Sequence, residues 1–489
     1  MNNVITDLLD LTDEDSTVTD FHIDGHTKYI TIEKNLKTMI CPCCGYRMYS
    51  HGQFKRHPNN PVLQDGYDLD VTLIGRRWRC TNEGCDYTCR DQFSFIEKNK
   101  KNTKLVPLMI IRDMKDINLT CRQVAARYHV SDTTVHEIFS QYISMPRLPL
   151  TRIISIDEVY LNISSKQKYA LVIMDFETGT ILDILQSRRK ETVESYFLSI
   201  PKEERDKVEI IVSDMYSPYL KFPYKYFANS ISIVDSFHVL QCLLSYINRY
   251  INEVKKKYLK RDRKKLEENN YRNNKSYDTQ KDSREVYILK HAKWVLLRNR
   301  DNFKYIEKHY NSFLGQYLDT HDWEKLFLEL DPSFKRIRDL KDLYEEFNGS
   351  FINDYHGATM KLNELINIYK NSDIKLFREF SRVLINNFQY IVNLFKYIKP
   401  SQVRQHHDEL RRLSNGPMES FNNVPSSFRS RSHGLANFEF VRNRILWSKR
   451  DDAGILGVPR TRKEIHVDTM KKRGSYKKHY FKSIKNTQT

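Results

Sequence analysis

Two stretches decide the fold: Ile153-Ile154-Ser155-Ile156-Asp157-Glu158 and, further along, Glu209-Ile210-Ile211-Val212-Ser213-Asp214. Each is a short, nearly continuous β-branched run that closes on an acid. Runs of this kind read as strands buried on both faces, at the centre of a sheet. Around them, Lys168 to Asp175 and Thr180 to Gln186 flank a Glu177-Thr178-Gly179 turn and read as a hairpin. A helix is expected over Glu191 to Ile200 and a further strand over Ser230 to Asp235. Strand, hairpin, helix, strand, helix, strand predicts a mixed α/β domain rather than a series of simple crossovers.

The whole chain has 489 residues, room for roughly three domains. Lys and Arg outnumber Asp and Glu by 80 to 62, a formal charge of +18, which favours a polyanionic partner. No stretch approaches the roughly 18 to 20 apolar residues of a membrane-spanning helix. Met1 to Asp20 is acidic and lacks the features of a signal peptide, so a cytoplasmic protein with reduced thiols is expected. Composition thus excludes a secreted, membrane-spanning or wholly disordered chain.

Cysteines 41, 43, 44, 80, 85 and 89, six of the eight in the chain, fall in one short segment. In a reducing compartment that clustering points to a metal before disulfides. Cys41 and Cys44 form a C-x-x-C pair and Cys80 and Cys85 a C-x4-C pair, four thiolates suited to a closed, structural zinc site. Cys43 and Cys89 are left over, and Cys89 stands as the alternative to Cys85. Next, Thr120 to Tyr128 reads as a short helix, His129-Val130-Ser131 as a turn, and Ser131 or Asp132 as the cap of a second helix through Gln141. Ala125, Val130, Val135 and Ile138 have the spacing at which two helices pack across a tight turn, a helix-turn-helix. Asp132, Thr133, Thr134, His136 and Glu137 are its groove-facing candidates.

Asp157 and Asp214, at the ends of neighbouring buried strands, would converge at one sheet edge, where hard oxygen ligands can hold divalent ions. A third acid, Glu419, lies in Leu413-Ser414-Asn415-Gly416-Pro417-Met418-Glu419-Ser420-Phe421-Asn422-Asn423, where Pro417 suits the first turn of a helix. Asp235 and His238 have Asp-x-x-His spacing at a strand end. On that spacing alone, Asp235 can cap the following helix. Glu158, beside Asp157, is expected on the opposite face in a structural role.

In ordered combination, these pieces resemble the DDE transposases of the ISL-three family of bacterial insertion sequences. They are the two cysteine pairs, Arg76-Arg77-Trp78, the helix-turn-helix, Ile156-Asp157-Glu158, Ser213-Asp214-Met215-Tyr216, Val234-Asp235-Ser236-Phe237-His238 and Glu419-Ser420-Phe421-Asn422-Asn423. The resemblance runs from about residue 40 to 450, and departs from the family pattern at Ser420, where Gly is common. It implies a ribonuclease-H-like α/β core with Asp157, Asp214 and Glu419 as catalytic, magnesium- or manganese-binding acids, interrupted by a helical insertion. Asp235 and His238 match a further family feature, which implies that they line the site or touch the scissile phosphate, with Asp235 the reserve for the second acid. The expected division is an N-terminal segment (1–36), a zinc-binding module (37–97), a helix-turn-helix domain (98–147), the first part of the core (150–240), the insertion (241–400), the second part of the core (401–452) and a basic tail (453–489).

The expected function is metal-dependent cleavage and strand transfer at terminal inverted repeats. Partners would be double-stranded DNA, at the repeats and at the target, and further copies of the chain in a dimer or larger synaptic assembly, with no membrane. Its location would be the bacterial cytoplasm, associated with the nucleoid. Besides the recognition helix, Arg76, Arg77, Arg79, Arg429, Arg431 and Arg442 are candidate DNA contacts. So are Arg444, His433, Lys255 to Lys265 and the tail from Lys471 to Lys485. Two alternatives are a transposase-derived, sequence-specific DNA-binding regulator that does not cut, and a structure-selective nuclease built on the same core.

Overall fold

The computed structural model describes residues 11–13, 15–59, 66–96, 100–164, 167–273, 282–351, 354–396, 398–400, 410–413, 416–432, 437–452 and 454–465. The first ten residues, His433 and the Lys471 to Lys485 tail lie outside them. The chain divides into two compact units. One comprises residues up to Leu148, Tyr160–Tyr169 and Asn423 onward; the other comprises Pro149–Val159 and Ala170–Asn422.

The first unit holds a six-stranded sheet of β1 (Ser16–Asp24), β2 (Thr27–Lys34), β3 (Met39–Ile40), β4 (Arg47–Arg56), β5 (Asp68–Cys80) and β6 (Thr88–Arg90), in the order β1-β2-β5-β4-β3 with β6 also on β5. Strands β1 and β2 form a hairpin that turns at Gly25 with φ +55°. Strand β5 serves two cores by alternation. Val71 and Leu73 pack with Ile30, Ile32 and Phe93, while Trp78 and Cys80 pack with Cys41 and Met48. Buried Asp91 anchors the second region: it accepts from the Trp78 indole at 2.6 Å and from the Arg76 backbone N–H at 2.7 Å.

Three helices follow, α1 (Leu105–Asp113), α2 (Cys121–Arg127) and α3 (Asp132–Tyr142). Helix α2 starts in a capping box between Thr120 and Gln123, and the Ser131 hydroxyl caps α3 by accepting from the Thr134 N–H. Between them His129 takes φ +51°, the left-handed step that turns one helix into the next. Val124, Ala125, Val135, Ile138 and Phe139 fill the angle.

The second unit is built on five strands, β7 (Ile153–Ser164), β8 (Gln167–Asp175), β9 (Ile181–Leu185), β10 (Ile210–Ser213) and β11 (Ile231–Val234), in the order β11-β10-β7-β8-β9. β8 and β9 are antiparallel, whereas β10 runs parallel to both β7 and β11. Helix α4 (Lys190–Ser199) connects β9 towards β10. Asp157 does not end its strand as the sequence suggests; β7 continues because Val159 and Leu161 keep alternate positions buried.

Beyond β11 the chain is mainly helical, starting with α5 (Ser236–Asn273), which contains the basic stretch Lys255 to Lys265. Val239, Leu243, Ile247 and Ile251 of α5 pack into a core shared with Phe334, Tyr344, Tyr369, Phe377 and Phe380. Asn393 ties this helical body to the sheet by donating to the Ser232 carbonyl of β11 at 3.1 Å. Among these helices lies a hairpin of β12 (His309–Asn311) and β13 (Gln316–Leu318).

Candidate functional site

Parallel pairing sets the site. Ile210, Ile211 and Val212 stand opposite Ile153, Ile154 and Ser155, and Ser213 stands opposite Val234. Extending that register, Asp214 is level with Asp157 on one side and with Asp235 on the other. Three aspartates thus form a row across adjacent strands, whose spacing is about 4.8 Å. Helix α6 (Gly416–Arg431) brings Glu419 to the row in its first turn. Ligand atoms of Asp235, His238 and Glu419 lie within 4.8 Å of one another.

Electrostatics tie Asp157 to the same group. Burial raises its carboxyl above the ordinary range; the Glu158 N–H and His238 oppose the rise, the charge on Asp214 adds to it, and the Asn422 amide opposes it. Burial also raises Glu419, with Asp235 and Asp157 adding and His238 opposing. The Asp214 carboxylate accepts from the Tyr216 N–H at 3.0 Å and Asp235 from the Phe237 N–H at 3.0 Å, so Asp235 both caps α5 and faces Glu419. Among the described residues, none hydrogen-bonds the buried Nε2 of His238. A crowd of hard oxygens, raised carboxyls and an unsatisfied imidazole nitrogen fits a divalent cation.

Two neighbours of Asp157 have defined partners. Asn422 donates to Asp157 Oδ2 at 2.8 Å while the Glu158 N–H holds Oδ1 at 2.7 Å, so both oxygens of Asp157 are oriented. The only sequence hint for Asn422 is its place three residues, about one helical turn, after Glu419. Glu158 accepts from the Tyr219 hydroxyl at 2.5 Å and pairs with Arg188 at 2.6 Å, which gives it a structural task.

The thiols of Cys41, Cys44, Cys80 and Cys85 lie within 4.8 Å of one another, with Cys41–Cys85 at 3.8 Å and Cys44–Cys80 at 3.3 Å. The edge of a tetrahedron around zinc at its usual bond length to sulfur is about 3.8 Å, so the set fits that ion. Gly45, at φ +75°, makes the knuckle, and the Tyr46 N–H lowers the Cys44 thiol to about 7. Cys89 instead contacts the Met39 sulfur at 3.5 Å and stays outside the set.

The basic candidates are divided. Arg77 and Arg79 are exposed, Arg79 lying 3.8 Å from Asp86, whereas Arg76 donates to the Leu36 carbonyl. Asp132 and Thr133 are exposed, Thr134 is half-buried, and His136 stacks on Phe440 with ring centroids 4.0 Å apart. Arg429 lies over the Tyr160 ring at 4.7 Å, and Arg431 donates to Asn118. On helix α7 (Phe438–Lys449), Arg442 donates to the Met145 carbonyl. Arg444 is buried and donates to the Asp116 and Leu119 carbonyls. Arg442 and Arg444 thus tie α7 to the backbone that borders α1, α2 and α3, inside the first unit.

A raised carboxyl favours the folded state at low pH, and that contribution is lost as pH rises through its folded pKa. Without added metal, Glu419→Gln is therefore expected to melt above wild type, by a margin that widens as pH climbs through the raised carboxylate range; thermal melts against pH check this. Asn422→Ala is expected to weaken Mn2+ binding about ten-fold while leaving the circular dichroism spectrum unchanged, because an orienting partner of a ligand carboxylate is lost. Titration calorimetry measures it.

A transposase family model matches residues 154–445, more than half of the chain, a span that encloses all four acids. The transposase for insertion sequence element IS1001 of Bordetella parapertussis is 22% identical over 285 residues. That alignment covers 57% of this chain and 63% of the relative, so it spans less than two thirds of the relative's length. With the family model matched across that span, the chain belongs to the ISL-three family of DDE transposases.

Proposed function

We propose that this chain is a DNA transposase that cleaves at the terminal inverted repeats of its own insertion sequence and joins the exposed 3′-hydroxyl to target DNA. The observation that carries the proposal is the row Asp157–Asp214–Asp235 joined by Glu419 and His238. The sheet order, an antiparallel hairpin beside three parallel strands, supports a ribonuclease-H-like core with the segment 241–400 as its helical insertion.

Asp157, Asp214 and Glu419 would hold the catalytic magnesium or manganese, with Asp235 available as a further oxygen ligand at the same edge. When bound, the ions supply Lewis-acid activation of the attacking oxygen and stabilisation of the leaving one. Asn422 and the Glu158 N–H keep the Asp157 carboxylate fixed, so little reorganisation accompanies binding. His238 presents its buried nitrogen beside the acids, where it can bond a phosphate oxygen.

In the other unit, the four thiols would hold structural zinc and stiffen the β3–β4–β5 region. Helix α3, with exposed Asp132 and Thr133 at its start, is the candidate for reading terminal-repeat bases, while Arg77 and Arg79 are available for the phosphate backbone. Joining two element ends calls for at least two copies of the chain. No helix among the described residues is long and apolar enough to cross a membrane.

The test combines purified protein, magnesium, a labelled duplex carrying one inverted repeat and a target plasmid, with Asp157→Asn as the control. Metal-dependent nicking and joining by wild type alone is expected, with the variant at background. Tight binding by both proteins without any cleavage, across metals and paired-end substrates, would overturn the enzymatic reading in favour of a regulator.

A further inference from the structure

The helical body of the second unit carries an exposed aromatic surface that the catalytic acids do not use. Every residue of Lys304-Tyr305-Ile306-Glu307-Lys308-His309-Tyr310 is exposed, and the segment leads into the β12–β13 hairpin. Tyr305 is 65% exposed, Tyr310 58% and Tyr317 65%. Tyr310 and Tyr317 are directly opposed across the hairpin, their rings 5.2 Å apart. Leaving so many large rings in water in one place is costly for a surface without a ligand.

Tyr305 and Tyr310 border a cleft of about 590 Å3, whose other walls include Tyr287, Trp294 and Trp323. These walls are braced: Tyr287 stacks on Phe313 at 4.0 Å with planes 11° apart, and Trp294 meets Phe303 edge-on at 4.8 Å. The cleft is therefore made of rings held in place by other rings. Its lining cations, Arg298 and Lys304, are exposed, as is the neighbouring His309. Asp319, the one carboxylate of the lining, is occupied as the cap of the helix Thr320–Leu328, accepting from the Asp322 N–H. Lys308, beside the cleft, is paired with Asp322 at 3.5 Å.

Flat π faces beside cations form the recognition chemistry of unpaired nucleotides, whose bases stack on aromatic rings while their phosphates meet Lys and Arg. Duplex bases are already stacked on each other and offer no free face. A second copy placed by symmetry would set one cationic loop against another. We propose that this cleft binds unpaired nucleotides of a DNA strand, with bases stacked on Tyr305 and on the Tyr310–Tyr317 pair and phosphates held by Arg298 and Lys304. The inference rests on the proposed action on DNA ends, which frees a strand for such a site, and it gives the insertion a task in holding that strand.

The test uses the full chain with a short single-stranded oligodeoxynucleotide carrying 2-aminopurine, and with the corresponding duplex. Wild type is expected to bind the single strand and change its 2-aminopurine fluorescence. Tyr305→Ala and Tyr310→Ala should each weaken single-strand binding roughly ten-fold, whereas Tyr310→Phe should match wild type and duplex affinity should stay constant. Since all these side chains are exposed, the variants should fold, which circular dichroism checks. Duplex binding with single-strand affinity unmoved by either Ala variant overturns the cleft assignment and leaves the proposed function standing. Failure of wild type to bind any DNA overturns the proposed function together with this inference. If the Ala variants lose self-association in sedimentation but keep single-strand affinity, the surface is a protein contact and the proposal fails.

Discussion

Like charges placed side by side set the terms for the second unit. The parallel register of β7, β10 and β11 puts Asp157, Asp214 and Asp235 in adjacent positions, and α6 adds Glu419. Burial raises the carboxyls of Asp157 and Glu419, and the charges of the neighbouring carboxylates add to the rise. Such a cluster survives only on a rigid frame, here a sheet whose flanking residues Ile154, Ile156, Ile211, Val212 and Ile233 are fully buried. The energy stored in the repulsion is what a divalent cation would release, so the same feature that burdens the fold favours the ligand.

The register also explains a choice that the sequence leaves open. Asp235 appears there as a helix cap or as a reserve acid, two exclusive roles. In the structure one oxygen caps α5 through the Phe237 N–H while the carboxylate remains within reach of Glu419 and His238. A strand-end aspartate can do both because a carboxylate has more acceptor capacity than one backbone N–H uses.

The strands of the core were legible because they are β-branched runs bounded by turn residues: Ile153, Ile181, Ile210 and Ile231 begin strands close to the expected limits. The cysteine set was legible from spacing, although only geometry separates Cys85 from Cys89. Continuation of β7 past Asp157 was not, since an acid in a strand reads as its end until Val159 and Leu161 are seen to be buried. Asn422 carries no legible task in its motif, because its partner is 265 residues away. The same limit applies to Arg442 and Arg444, whose positive charge suggests DNA but whose hydrogen bonds go to backbone carbonyls. The β12–β13 hairpin is hidden because its strands are only three residues long and lie inside a charge-rich helical stretch.

Anomalous diffraction from crystals of the full chain soaked in manganese tests the central claim most directly. The account predicts manganese within bonding distance of carboxylate oxygens of Asp157 and Glu419, beside Asp214 and Asp235, and distinct from any zinc at Cys41, Cys44, Cys80 and Cys85. A fully soaked crystal with no manganese at that edge, or with the aspartates turned onto neighbouring side chains instead, would contradict it.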